Sequence, residues 1–168
     1  EHPNTLATMN NLALVYKELK MLDEALALRR KDLEIVLRTL GEEHPDSIVS
    51  LANLGATLRS GGKCEEAVMY LERAVRAGRK VLPPDHEGAA FTLGWYGSCL
   101  IKMGRFQEAE AALLEGRGMI VKGSGEASPV AAQMAKDLAA LYGGWEEAEP
   151  GKGHAAKAEE WKGKGEGG

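Results

Sequence analysis

Histidine is the side chain best placed to bind a metal or carry a proton near neutral pH, and three of the chain's four histidines share one setting. They are His2 in Glu1-His2-Pro3, His44 in Glu43-His44-Pro45 and His86 in Asp85-His86-Glu87. Each lies 42 positions from the next. Ligands of one metal ion must meet within a few ångströms, and a residue that returns at a fixed long step is spread along the chain instead. These histidines therefore read as parts of a recurring linker. Cys64 and Cys99 make no metal or redox spacing and are expected to be small buried side chains. Gly123-Ser124-Gly125 and Gly151-Lys152-Gly153 share only their glycines with phosphate-binding loops, since neither carries the full spacing or follows a strand pattern. With no paired nucleophile and base and no phosphate loop, neither an enzyme nor a bound cofactor or metal is expected.

The step of 42 runs along the chain as far as Trp145, after which the register fails. Pro3, Pro45 and Pro129 are in register, with Glu87 in the slot between them. So are Leu12, Leu54, Tyr96 and Leu138, then Ala13, Gly55, Gly97 and Ala139, then Tyr16, Leu58, Leu100 and Tyr142. Self-similarity at such a period signals a stacked array, in which each unit is too thin to bury its apolar face alone.

Within a unit the apolar residues recur at three- and four-residue steps, the stripe of an amphipathic helix. Met9, Leu12, Ala13 and Tyr16 mark a first helix, and Ala25, Leu26, Leu33 and Val36 a second that ends at Gly41. Small residues at positions 13, 55, 97 and 139, and at 25, 67 and 109, let the two helices approach closely. The repeats are expected at about 3–41, 45–83, 87–123 and 129–162, within one domain of residues 1–162. The last is atypical and capping: Glu146 to Gly153 reads as a loop, followed by a short helix from His154 to about Lys162. Residues 163–168 are expected to form a disordered tail on composition.

The 168 residues carry a net charge of −4 from 21 basic and 25 acidic side chains, too mild a balance to suggest nucleic acid or a membrane surface as partner. No apolar run approaches the roughly 20 residues that cross a bilayer, and the N-terminus has no signal-peptide pattern. A soluble cytoplasmic protein is the expectation, and because Glu1 falls inside a linker, an excised piece of a longer chain.

Met9, Leu12-Ala13, Tyr16 and Ala25 in the first copy, and Leu51, Leu54-Gly55, Leu58, Gly62, Ala67, Leu71 and Ala74 in the second, resemble the tetratricopeptide pattern. Asp32 and Gly116 depart from its usual alanine. The long unit, with Asn10-Asn11-Leu12-Ala13, Glu24-Ala25 and the linker Leu40 to Asp46, resembles the kinesin light chain type. The resemblance implies an all-α, right-handed superhelical array of antiparallel helix hairpins, an α-solenoid. It also implies a concave groove lined by the first helices, at Asn10, Asn11 and Lys17, then Asn53 and Arg59, then Phe91, Trp95 and Lys102, then Lys136 and Asp137.

Carboxamides both donate to and accept from a peptide backbone, and Lys17, Arg59, Lys102 and Lys136 make the groove more basic than the whole. A protein-interaction module is expected, taking an extended peptide that is acidic and carries a large apolar side chain. Phe91 and Trp95, one helical turn apart with Gly94 leaving space beside them, either anchor that side chain or pack on the fourth hairpin. The alternative is a structural or sensor repeat segment of a larger signalling protein, such as a kinase or nucleotide-driven switch.

Overall fold

The protein is represented by a computed structural model that describes residues 3–166; the side chains of residues 3–7, Asn10 and Lys17 lie outside it. The described residues form eight helices and no strand. They fall into two compact units, residues 1–82 and 83–168, each made of two helix hairpins. Unit 1 holds α1 (Pro3–Glu18), α2 (Leu22–Leu40), α3 (Pro45–Ser60) and α4 (Cys64–Val81). Unit 2 holds α5 (Glu87–Lys102), α6 (Phe106–Ser124), α7 (Pro129–Ala148) and α8 (His154–Glu166).

Local chemistry sets these boundaries. Pro45 and Pro129 open α3 and α7, where the missing N–H of proline belongs to the helix's own unpaired donors. The recurring histidines have a structural task there. Nδ1 of His44 accepts the backbone N–H of Asp46 at 3.2 Å, and Nδ1 of His86 accepts that of Ala89 at 3.3 Å, so each caps the helix that follows; His2 lies outside the described residues. The second helices α2, α4 and α6 have no side-chain cap bond and instead place Asp23 and Glu24, Glu65 and Glu66, and Glu108 in their first turns, where carboxylates favour the positive end of the helix dipole.

Each of the first three hairpins turns through one residue with positive φ at the same register, Lys20 at 59°, Gly62 at 74° and Gly104 at 70°. The first and third hairpins also end alike, on Gly41 at 82° and Gly125 at 81°. In unit 1, α1 packs on α2, α2 on α3 and α3 on α4; in unit 2, α5 packs on α6, α6 on α7 and α7 on α8. The core of unit 1 centres on Leu51, Leu54, Leu58 and Leu71, and that of unit 2 on Leu100, Leu113, Leu138 and Leu141, all fully buried. Cys64 and Cys99 are both free thiols and buried.

Asp32, the departure from alanine, is buried in α2 and its Oδ2 accepts a hydrogen bond of 2.7 Å from Ser50 of α3. Gly116, the second departure, fits its setting: a Cβ there would stand 3.1 Å from the Ala90 carbonyl oxygen and 3.1 Å from Leu93 Cβ. Close approach of α6 to α5 takes the place of a side chain.

Two expectations about the C-terminal hairpin are corrected. The loop expected from Glu146 starts later, because α7 runs through the position equivalent to Gly62 and Gly104 and continues to Ala148; Glu146 replaces the turn glycine and has no reason to leave the helix. The tail expected to be disordered from Gly163 is helical as far as Glu166. Its glycines permit contact: Gly165 is buried, and a Cβ on it would lie 2.9 Å from Lys136 Cγ and 3.5 Å from the Ala132 carbonyl oxygen. Residues 167 and 168 lie outside the described residues.

Candidate functional site

First helices carry the residues singled out from the sequence, and each unit presents its own set. In unit 1, Asn11 is exposed on α1 and Asn53 half-buried on α3. The carboxamides of Asn11 and Asn53 make no hydrogen bond among the described residues, while the backbone carbonyl oxygen of Asn53 accepts from Thr57 Oγ1 at 2.8 Å. Arg59 is half-buried one turn past Gly55, and its Nε is buried without a partner among the described residues. The side chains of Asn10 and Lys17 are not described. The Asn11 and Asn53 carboxamides thus keep donors and acceptors unengaged among the described residues.

In unit 2 the aromatic pair stands on α5. Phe91 and Trp95 stack with ring centroids 6.3 Å apart and planes 23° from parallel, and both are half-buried. Gly94 does not leave open space beside them, as its sequence setting suggested: Met134 of α7 fills it, with Cε 2.9 Å from where a Cβ would stand. Gly94 and Met134 thus bring α5 and α7 together, and the two rings keep part of their surface free. Lys102 is exposed in the last turn of α5. On α7, Asp137 accepts from Gln133 Nε2 at 3.1 Å, and the exposed Lys136 has its stem against Gly165 of α8.

A second aromatic assembly, which single-residue spacing did not bring out, fastens α8. Trp145 stacks on Phe106 at 5.8 Å, on Tyr142 at 6.3 Å and on His154 at 4.3 Å. The Tyr142 hydroxyl donates to Glu110; burial, and then that bond, push its pKa well above the usual phenol value. Lys157 lies 4.8 Å over the Tyr142 ring, while Trp161 is held between Arg117 at 5.0 Å and Lys164 at 4.2 Å. Glu146 accepts the backbone N–H groups of Gly151 at 2.7 Å and Ala155 at 3.2 Å, bridging α7 to the start of α8. Those bonds, Gly151's first, hold the Glu146 carboxyl below its ordinary range. The sequence signal for the assembly was the cluster of aromatics around the point where the repeat register fails.

No cluster of histidine, cysteine, aspartate or glutamate suited to a metal occurs among the described residues, and no described helix is long and apolar enough to cross a membrane. Residues 4–80 and 62–120 match the tetratricopeptide repeat family. Among solved structures, nearly identical tetratricopeptide-like repeats of a kinesin light chain protein from Podosopora anserina superpose with a TM-score of 0.82 at 25% identity, over 96% of this chain and 73% of that one. A variant of those repeats gives 0.75 at 22% identity, over 97% and 89%. BtubC (BKLC) from P. vanneervenii gives 0.77 at 17% identity, over 95% of this chain and 61% of that one, and shows the fold alone. No curated protein matches the chain. Repeats of this family generally mediate protein–protein interaction and are typically non-catalytic scaffolds. Eight helices in paired antiparallel hairpins, a 42-residue period and the family match together place the chain in the tetratricopeptide repeat family, with repeats of the kinesin light chain-like type.

Proposed function

We propose that this chain binds extended peptide segments of partner proteins on its first helices, each unit by its own face, and that the anchor is the Phe91–Trp95 pair of unit 2. The observation that carries this reading is the pair itself: two large rings stacked on one another and left half-exposed on α5. Gly94 and Met134 bring α5 close to α7, and Ala90 clusters with Ala131 and Met134 there. Exposed aromatic pairs of this kind supply large, rigid apolar surface at low entropic cost and are enriched where partners dock.

Lys102 and Lys136 favour an acidic segment at unit 2, while Asp137 is occupied by Gln133. Unit 1 contributes a polar face of its own, in which the Asn11 and Asn53 carboxamides and Arg59 can pair with a peptide backbone. Ordering a flexible segment limits the affinity to modest values.

Selection from a library of linear peptides tests the proposal. Enriched binders should carry acidic residues around one large apolar side chain, and they should lose affinity for Trp95→Ala and Phe91→Ala proteins whose melting temperatures stay near wild type. Peptides that bind the Trp95→Ala protein unchanged, or a Trp95→Ala protein that melts several degrees lower with binding intact, make the pair a packing feature and defeat the proposal.

A further inference from the structure

Five positions in unit 2 depart from the preceding copy of the repeat, and they lie at one place. The 42-residue step puts Val49 at the position of Phe91 and Asn53 at that of Trp95. It puts Ala52 at the position of Gly94, Ala74 at that of Gly116, and Thr8, Ser50 and Thr92 at that of Met134. Two side chains are lost and one is enlarged, beside two rings that the earlier copies lack.

The lost and the enlarged side chains fit as a knob in a hole. Met134 of α7 is 3% exposed, and its Cε lies 2.9 Å from where a Cβ on Gly94 would stand and 3.4 Å from where one on Gly116 would stand. Gly94 belongs to α5 and Gly116 to α6, so one thioether end touches both helices of the preceding hairpin. Phe91 follows Ala90, a member of the same buried cluster as Met134, and Trp95 follows Gly94. One residue is a turn of about 100° around a helix, which sets both rings at the rim of this contact. The distance between packed helices follows the side chains at their contact, and a close-packed interior passes a change of one methylene to its neighbours.

We propose that Met134 is a positioning residue for the peptide site: seated between Gly94 and Gly116, it holds α7 off α5 and so sets how much of the Phe91 and Trp95 rings a ligand can reach. Filling the core does not by itself call for methionine. On α3 the same position is Ser50, bonded to Asp32 of α2 at 2.7 Å. On α5 it is Thr92, buried with its hydroxyl donating to the Gly88 carbonyl oxygen at 2.8 Å. Methionine occurs in the one copy whose preceding first helix carries the aromatic pair. The effect on binding rests on the Phe91–Trp95 anchor proposed above, whereas the spacing does not.

The test uses the full chain labelled with fluorotryptophan. Fluorine NMR reads the exposure of each tryptophan as relaxation enhancement by a soluble gadolinium chelate, and Trp95→Phe assigns the Trp95 signal. Met134→Thr restores the residue of the preceding copy, with the Val130 carbonyl four residues back to take its hydroxyl. This variant should melt lower, and α7 should close on α5. Trp95 enhancement should then fall while Trp145 and Trp161 keep theirs, and peptides selected on the wild type should bind about tenfold more weakly. Met134→Leu, which conserves volume, should keep both the enhancement and the affinity. Gly94→Ala presses on the Met134 end from the other side and should raise Trp95 enhancement. A Met134→Thr protein that melts lower with Trp95 enhancement unchanged makes Met134 core filling alone and overturns the proposal. Should that variant not fold, an unchanged Trp95 signal in Gly94→Ala overturns it equally. Enhancement that falls while every selected peptide binds as before defeats the anchor reading and leaves the spacing role standing.

Discussion

Gly55 of α3 lies directly beneath Leu71 of α4: a Cβ on the glycine would stand 2.5 Å from Leu71 Cγ and 3.4 Å from the Ala67 carbonyl oxygen. Forty-two positions on, Gly97 meets Leu113 Cγ at 2.6 Å and the Ala109 carbonyl oxygen at 3.4 Å. The same three-residue joint is built twice, once in each unit. Leu71 Cγ is a branch point close to its own backbone, so it cannot swing aside as the end of a flexible chain could. Gly55→Leu is therefore expected to destabilise the protein by about 1–3 kcal/mol in denaturant unfolding, as overpacking does. Gly118, helical but with nothing within 4 Å of a Cβ, is the control: Gly118→Ala should be stabilising by up to about 1 kcal/mol through helix propensity.

Lys20 stands in the left-handed region at φ 59°, in the register filled by Gly62 and Gly104. A side chain there crowds its own backbone, which glycine avoids. Lys20→Gly should raise stability by up to about 1 kcal/mol, less whatever the glycine adds to unfolded-chain entropy. Lys20→Val should lower it; equal melting temperatures for the two variants would contradict this account.

The Asp32–Ser50 bond joins α2 to α3 through a buried carboxylate whose other oxygen, Oδ1, has no partner among the described residues. Arg29, one turn earlier, is buried too: burial lowers its pKa and the charge of Asp32 opposes that. Ser50→Ala should cost about 1–3 kcal/mol, because it strips a bond from a charged group that cannot reach water. The same substitution should cost far less in an Asp32→Ala background, and a double-mutant cycle measures the difference. Additive losses would show that the bond carries no coupling.

Glu42, in the linker between α2 and α3, meets Arg73 at 2.9 Å and Arg76 at 3.2 Å, both on α4. The Arg73 hydrogen bond, opposed by partial burial and aided by Arg76, holds its carboxyl below the ordinary value of 4.5. A depressed folded value stabilises the folded chain above the unfolded carboxyl's range, and the contribution fades as pH falls through the folded value. The pair is about a third exposed, so solvent screens it, and Glu42→Gln should lose less than about 1 kcal/mol at neutral pH. That difference should shrink as pH falls from the unfolded carboxyl's range and be gone once pH is below the depressed folded value; a gap that persists in acid would trace the loss to packing instead.

The chain's own order of residues determined the period, the hairpins and most helix ends, because those depend on local demands. Prolines can start helices and cannot continue them, glycines take left-handed turns, and small residues at 13, 55 and 97 permit helices to touch. These needs are written residue by residue and repeat at 42. The capping role of His44 and His86 was not readable, since the residue type allows many tasks and only the geometry of Nδ1 against the next helix selects one.

Tertiary structure alone decided which faces are covered. Composition marked Gly163 to Glu166 as tail, yet Gly165 is drawn against Lys136 by the seating of Trp145, His154 and Trp161. Gly94 read as open space until Met134 filled it, while Phe91 and Trp95 kept part of their surface. Leu12 and Leu54 are alike in the sequence and differ from 41% to 0% in exposure because a second helix lies over only one of them. Burial is a property of neighbours far along the chain, and no local pattern encodes which neighbour is present.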